Sequence, residues 1–237
     1  MESGKINLFC FSHAGGSALV YDRWKKYLHS SINLIPVELA GRGRRFGEPF
    51  YMGIDEAIAD IYFQLKDRLN EGNFSFWGHS MGAILAFEVL CKCKQLMNYE
   101  PVHIFFSGSN PPHIMKVESI SNLPDSDFLE KILLYGGIHK GILQNEKLLN
   151  IALSILREDF KVIESYTHKN IGMRFECDIS IFSGKQDIGV LRQDLTQWTK
   201  YTHGGCSIYE FEGGHFFLND YDREITNIIN SKLRLID

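Results

Sequence analysis

The sequence has no excess of positive charge and no long apolar run. Its 25 lysine and arginine residues are outnumbered by 29 aspartate and glutamate residues, which gives a formal net charge of −4. Because a nucleic-acid surface needs clustered positive charge, we expect no nucleic-acid partner. No segment approaches the roughly 18 consecutive apolar residues of a membrane-spanning helix, so we expect no membrane partner either.

Cysteine is scarce, and the five cysteines are odd in number and scattered. A disulfide framework needs paired cysteines, so we interpret them as reduced residues of a cytoplasmic protein. The first apolar run is interrupted by Ser12 and His13, unlike the core of a secretory signal. With 44% hydrophobic and 23% charged residues, the chain is predicted to fold as a single domain, 1–237. No dimerisation helix is evident, and we expect a monomer.

The most informative stretch is Phe74–Phe87, where an apolar, aromatic run ends in a Gly-x-Ser-x-Gly pattern formed by Gly78, Ser80 and Gly82. A pattern with helical spacing follows at once, so the stretch predicts a strand, a sharp turn and a helix. At such a turn the serine has a strained backbone and projects as a nucleophile, while the glycines let strand and helix pass closely. Ser80 is therefore the candidate nucleophile. The alternative is a glycine-rich turn that contains serine by chance.

A serine hydroxyl is a weak nucleophile at neutral pH and needs a histidine base oriented by a carboxylate. Asp187 follows the end of a predicted strand, where catalytic groups of parallel sheets gather, which favours it over Asp178 and Asp194. His215 lies in a glycine-containing loop after the last predicted strand. The order Ser80, Asp187, His215 along the chain is that of an α/β hydrolase.

The first predicted strand, Ile6–Phe11, leads into a loop of small residues. In α/β hydrolases such a loop donates a backbone N–H to the developing oxyanion. We assign this donor to Ala14, with Gly15 as second choice. His13 lies in the same loop but precedes the nucleophile, so we interpret it as a hydrogen-bonding loop residue rather than the base.

Strand and helix patterns alternate along the chain, which predicts a mostly parallel central sheet with helices on both faces, the α/β-hydrolase fold. Between residues 110 and 174 the pattern is helical only, most clearly at Asp125–Leu134 and Asn145–Tyr166, with a glycine pair between them. We predict that this insertion forms a lid over Ser80. The alternative is a set of packing helices with no gating role.

Three arginines, Arg42, Arg44 and Arg45, stand within four positions of a glycine-containing loop after the second predicted strand. Guanidinium groups bind phosphates and carboxylates, so the loop is a candidate anion site. A solvated basic loop explains the composition equally well. One of the three can instead be structural, pairing with Glu38 or Glu48, and Arg42 is our candidate for that role.

These motifs make the chain resemble the type II thioesterases that accompany polyketide synthases and nonribosomal peptide synthetases. The similarity covers nearly the whole length. It rests on four segments, which are Ser12–Ser17, Gly41–Arg45 with the following Glu48-Pro49, Gly78–Gly82, and Gly214–Leu218. The family often has proline where this chain has Ser12 and Ala40, but neither departure removes a catalytic side chain.

The resemblance implies hydrolysis of acyl groups, often wrongly loaded ones, from the phosphopantetheine arm of an acyl or peptidyl carrier protein. His215 would deprotonate Ser80, and Asp187 would orient the imidazole. The backbone N–H groups of Ala14 and Met81 would hold the oxyanion. No metal or dissociable cofactor is required for this chemistry, because every reacting group is supplied by the protein.

The resemblance also implies a role for the basic loop, since carrier proteins are commonly acidic and their arm contains a phosphodiester. Arg44 and Arg45 are the candidate residues for binding the carrier protein or its arm. A carboxylesterase or lipase of the same fold is the nearest alternative, because triad residues do not distinguish a thioester from an oxygen ester. A releasing cyclase and a catalytically inactive hydrolase-fold binding protein are further alternatives.

Overall fold

Six strands form one sheet in which all neighbouring strands are parallel. The computed structural model describes residues 5–138 and 140–233. The strands are β1 (Ile6–Phe11), β2 (Ile32–Pro36), β3 (Phe74–His79), β4 (His103–Ser107), β5 (Asp178–Gly184) and β6 (Cys206–Phe211). Their order across the sheet is β2-β1-β3-β4-β5-β6. The prediction of a mostly parallel sheet is confirmed, and within the described ranges no antiparallel strand joins it.

In the described ranges six α-helices lie between strands along the chain, and a seventh follows the last strand. They are α1 (Ile54–Leu69), α2 (Met81–Met97), α3 (Asp125–Leu134), α4 (Lys140–Leu143), α5 (Glu146–Glu164), α6 (Arg192–Leu195) and α7 (Asp222–Lys232). A 3₁₀ helix, Ala18–Lys26, joins β1 to β2. None of the helices in the described ranges is both long and apolar enough to cross a bilayer.

The central strands are buried on both faces. Every residue of β1, β3 and β4 is buried, so their sequences are nearly continuous apolar runs rather than alternating ones. On one face of the sheet Phe76 and Phe106 pack in the core that includes α1 and α2. On the other face Trp77 and Phe105 pack in the core that includes α7. These layers hold the carboxyl ends of the strands at one edge of the sheet.

The turn between β3 and α2 depends on two close approaches. A Cβ atom at Gly78 would collide with the backbone of Gly82, and one at Gly82 would collide with the carbonyl oxygen of Phe11 in β1. Ser80, between them, has φ 57° and ψ −120°, a conformation that L-residues rarely adopt. The two glycines therefore allow α2 to begin directly against the sheet.

The segment between β4 and β5 contains α3, α4 and α5, and it has a small apolar core of its own. That core consists of Ile120, Phe128, Ile132, Ile138 and Leu156. The predicted helix Asp125–Leu134 has the bounds of α3, and the predicted helix Asn145–Tyr166 contains α5. Asn145 is the N-cap of α5, because its side chain accepts a hydrogen bond from the amide of Leu148.

The close packing at Gly82 predicts a measurable loss of stability. Gly82→Ala should lower the free energy of unfolding by about 2 kcal/mol, because the strain of overpacking exceeds the roughly 1 kcal/mol that alanine adds to a helix. Urea unfolding monitored by circular dichroism measures the change. Gly205→Ala is the control, since its Cβ would meet no atom closer than 3.4 Å. Equal midpoints for the two variants would contradict the packing argument.

Candidate active site

Ser80 is held at the turn by hydrogen bonds on both sides of its strained backbone. Its amide donates to the carbonyl oxygen of Ser107 at the end of β4, over 2.8 Å, and its own carbonyl accepts from the amide of Ala83, over 2.9 Å. The first bond ties the turn to the neighbouring strand, and the second begins α2. The hydroxyl is thus presented at the carboxyl edge of the sheet.

The structure brings the three predicted triad residues together. The Nε2 atom of His215 lies 2.9 Å from the Oγ atom of Ser80, and its Nδ1 atom lies 2.7 Å from Oδ2 of Asp187. The Asp187 side chain is fully buried, and that of His215 is 12% exposed. Because an ionised carboxylate only accepts hydrogen bonds, Nδ1 carries the hydrogen, and the lone pair of Nε2 faces the serine hydroxyl.

The loops after β5 and β6 position these two side chains. Asp187 follows β5 by a few residues, and its Oδ1 atom accepts a hydrogen bond from the amide of Gly189 over 2.9 Å. This second bond fixes the carboxylate plane, so that Oδ2 is left for His215. His215 follows β6, and its ring packs edge-on against Phe216.

Two further histidine rings surround the triad. His79 lies 5.1 Å from the ring of His215, and His13 lies 6.1 Å from the ring of His79. Burial lowers the pKa of His13 to about 4 and holds the pKa of His79 well below its ordinary value. Both rings are therefore neutral at neutral pH and add no positive charge beside His215. His13 hydrogen-bonds the carbonyl oxygen of Ala14 with Nδ1, as expected for a loop residue.

The two predicted oxyanion donors come from different elements, the loop after β1 and the start of α2. Ala14 and Met81 line the same cavity as Ser80. Met81 is the first residue of α2, so its amide has no acceptor within the helix. The amide of Gly15, the second choice from sequence, donates instead to Asp159 over 2.7 Å, which removes it as an oxyanion donor. Ala14 and Met81 therefore remain the candidates.

The cavity beside Ser80 measures about 160 Å³. Most of its apolar wall is supplied by the insertion between β4 and β5, through Met115, Val117, Ile120, Ile132, Leu156, Phe160 and Ile163. None of these lining residues was predicted individually from the sequence. The signal was present in α5, where Leu156, Phe160 and Ile163 are spaced by four and three residues on one helical face.

Two arginines of the basic loop form ion pairs within the chain. Arg42 is structural, but it pairs with Asp159 of α5 rather than with Glu38 or Glu48, and both side chains are 3% exposed. The guanidinium group of Arg45, the other predicted carrier-binding arginine besides Arg44, forms ion pairs with Glu48 and Asp60.

Arg44 has a different environment from its two neighbours. Arg44 is exposed. Its backbone amide donates a hydrogen bond to the side-chain carboxylate of Glu38. Arg44 is thus the remaining candidate of the two predicted carrier-binding arginines.

Comparisons with known proteins agree with this geometry. The family model described as "Thioesterase domain" matches residues 6–233. The gramicidin S biosynthesis protein GrsT of Aneurinibacillus migulanus is 33% identical over 236 residues, which cover 99% of this chain and 91% of the relative.

Two solved structures are similar over nearly their whole length. ClbQ from the colibactin NRPS/PKS pathway has a TM-score of 0.92 and 31% identity, with 97% of both chains covered. The type II thioesterase BorB from the borrelidin biosynthetic cluster has a TM-score of 0.88 and 27% identity, with 99% of this chain and 94% of BorB covered.

The hydrogen-bonded triad predicts which residue is labelled by a fluorophosphonate. Ser80→Ala should abolish labelling and lower turnover by about a millionfold, the order of loss seen when a catalytic serine is removed. His215→Ala should be about as damaging, whereas Asp187→Asn should leave more activity because the base remains. Mass spectrometry of the labelled protein locates the adduct. Ser109→Ala, a second serine beside the cavity, should retain labelling, and an adduct at any residue other than Ser80 would contradict the assignment.

Proposed function

The chain belongs to the thioesterase domain family and is a thioesterase, and we propose that it uses Ser80 as its nucleophile. The observation that carries this proposal is the continuous hydrogen-bonded series from Ser80 through His215 to the buried Asp187. A neutral imidazole with its lone pair toward a serine hydroxyl is the arrangement needed to remove the hydroxyl proton during attack.

The proposed reaction has two steps. The Oγ atom of Ser80 attacks the thioester carbonyl carbon while Nε2 of His215 takes its proton, and the oxyanion accepts hydrogen bonds from the amides of Ala14 and Met81. The thiolate leaves and takes a proton from His215. Water, which gives a proton to the same imidazole, then attacks the acyl-serine, and the imidazolium returns that proton to the Oγ atom of Ser80 as the carboxylic acid leaves. Asp187 stabilises the imidazolium formed in each step.

We propose an acyl-phosphopantetheine arm of a carrier protein as the thioester substrate. The support is that the relatives are named for gramicidin S biosynthesis, the colibactin NRPS/PKS pathway and the borrelidin cluster. The chemical demand is also met, since a thiol leaving group needs no acid stronger than an imidazolium. The test is to compare the rate of hydrolysis of an acyl-carrier protein with that of a simple oxygen ester of the same acyl group. Equal rates on the two substrates would favour a general esterase.

We propose that residues 110–174 form the lid of a single domain. The support is that this segment supplies most of the apolar cavity wall over Ser80. A cavity of roughly 150 Å³ holds a benzene-sized molecule, so a cavity of about 160 Å³ suits a short acyl group of about six carbons or fewer. We also propose a cytoplasmic location, which the five unpaired cysteines support.

The lid wall predicts a change in acyl-length preference. Val117→Phe should reduce kcat/KM for hexanoyl-carrier protein about tenfold relative to acetyl-carrier protein, because excluding two methylenes removes roughly 1.6 kcal/mol of burial. Fluorophosphonate labelling of Ser80 should be unchanged. Val102→Phe is the matched control, since Val102 is exposed and lies outside the cavity wall. An unchanged preference in Val117→Phe would count against the lid as the acyl site.

The exposed Arg44 predicts a selective effect on carrier binding. Arg44→Ala should raise KM for acyl-carrier protein several-fold at low salt and much less at 0.5 M salt, where exposed charges are screened. Hydrolysis of an acyl thioester that lacks phosphate should be unaffected.

Arg45→Ala serves as the paired comparison in that experiment. It should lower the melting temperature, because it leaves Asp60 and Glu48 without their cation, and it should affect both substrates alike. If Arg44→Ala also slowed both substrates equally, the docking role would be wrong.

A further inference from the structure

Asp159 is a buried carboxylate that lies on the lid helix α5 and not on the sheet that carries the triad. Its Oδ2 atom accepts hydrogen bonds from Nη1 of Arg42, over 2.5 Å, and from the amide of Gly15, over 2.7 Å. Its Oδ1 atom accepts from Nη2 of Arg42, also over 2.5 Å. Three donors from two separate loops thus converge on one carboxylate.

Stability alone is a weak reason for such a pair. Moving both charges out of water costs several kcal/mol per ion, and well-packed apolar residues of similar volume often stabilise a protein as much or more. The side chains of Arg42 and Asp159 are each 3% exposed, so both charges are almost completely removed from water. What distinguishes the pair is the loop that it contacts.

The loop in question is the turn that carries the Ala14 amide. The amide of Gly16 donates to the carbonyl oxygen of His13 over 3.0 Å, and Gly15 has φ +77°, as at the third position of a type II turn. The Ala14–Gly15 peptide group is hydrogen-bonded on both sides. Its carbonyl oxygen, from Ala14, bonds to Nδ1 of His13, and its N–H, from Gly15, donates to Asp159. That peptide is therefore fixed at both ends.

Arg42 adds a second restraint on this turn. Besides binding Asp159, its Nη1 atom donates to the carbonyl oxygen of Gly16 over 3.3 Å. The Asp159–Arg42 pair thus contacts the turn through one N–H and one C=O group, on either side of the Gly15 Cα atom. Asp159 and Arg42 form no hydrogen bond to Ser80 itself. Any effect of the pair on the reaction must therefore pass through the Ala14 amide.

The same helix also touches the acyl cavity. Leu156 and Phe160, on either side of Asp159 along α5, line the cavity beside Ser80. Leu156 lies directly against Gly15, since a Cβ atom built there would be 2.6 Å from a Leu156 methyl carbon. A movement of α5 would therefore change both the shape of the cavity wall and the hydrogen bond between Asp159 and the Gly15 amide.

We propose that Asp159 is a positioning residue that keeps the Ala14 amide aligned as an oxyanion donor. Because Asp159 lies on α5, this alignment depends on the position of that helix against the turn. This inference rests on the proposed function, because it takes Ala14 as a donor to the acyl oxyanion. It assigns to Asp159 no contact with the substrate. Its consequence is that acyl groups which displace α5 are hydrolysed slowly even when they bind.

The test uses Asp159→Asn and separates transition-state from ground-state binding. With butyryl-pantetheine, kcat should fall about 10- to 100-fold, below the 100- to 1,000-fold cost of losing an oxyanion donor outright, while KM stays within about threefold. Butaneboronic acid, which forms a tetrahedral anionic adduct with Ser80, should lose affinity by a factor similar to that of kcat. Butyrate, which forms no such adduct, should bind as it does to the unchanged protein.

Asp60→Asn is the matched control for that variant. It removes a carboxylate from Arg45, an arginine of the same loop, without touching the turn at Gly15. It should change the melting temperature but neither kcat nor boronate affinity. If Asp60→Asn reproduced both losses, a general weakening of the loop would explain them and the proposal would be overturned.

A double variant covers the case in which Asp159→Asn leaves Arg42 unpaired and does not fold. Arg42→Met with Asp159→Leu replaces the pair by apolar side chains, a change that buried pairs often tolerate. It should retain a cooperative thermal transition and show the same selective loss of kcat and boronate affinity. A folded variant with unchanged kcat and boronate affinity would overturn the proposal. Because boronate binding needs Ser80 but no carrier protein, this measurement still reports on the turn if the proposed carrier-protein substrate is wrong.

Discussion

The strained backbone of Ser80 is the constraint on which the rest of the site depends. A residue in such a conformation costs about 1–3 kcal/mol, and it persists only where neighbouring structure holds it. Here β4 holds it through the carbonyl oxygen of Ser107, and α2 holds it through Ala83. Both elements can come that close because Gly78 and Gly82 have no side chains to collide with the backbone. The strained conformation of Ser80, the proposed nucleophile, is therefore a product of the packing between sheet and helix.

The parallel sheet then explains why distant residues meet at this serine. Because every strand runs in the same direction, the loops after β1, β3, β5 and β6 all open at one edge. Those loops carry Ala14, Ser80, Asp187 and His215. The same arrangement brings neutral His13 and His79 beside the base, where burial lowers the pKa of both rings. A low-dielectric wall of this kind strengthens the hydrogen bonds to Asp187 and Ser80 without competing for the carboxylate.

Much of this was predictable from sequence because the relevant signals are local. Apolar runs predicted the strands, glycine spacing predicted the turn at Ser80, and position after a strand end favoured Asp187 and His215. The basic loop was predicted less well, since three arginines in one loop have the same local pattern whatever their partners. Arg42 meets a carboxylate 117 residues away on α5, and Arg45 meets one on α1. Long-range pairing of this kind depends on how the insertion folds back over the sheet.

For Asp159 the sequence contained a signal that a partner is needed, but that signal did not identify the partner. Asp159 interrupts the apolar face formed by Leu156, Phe160 and Ile163, and a charge on the buried face of a helix needs a partner. The helical pattern shows that a partner is required but not which cation supplies it. The physical result is that α5 is joined to the loop after β2 by a desolvated ion pair as well as by apolar contacts. Apolar contacts tolerate sliding, whereas a bidentate pair with a shared backbone amide has one geometry. The position of α5 is therefore defined most sharply at the point where it meets the turn at Gly15.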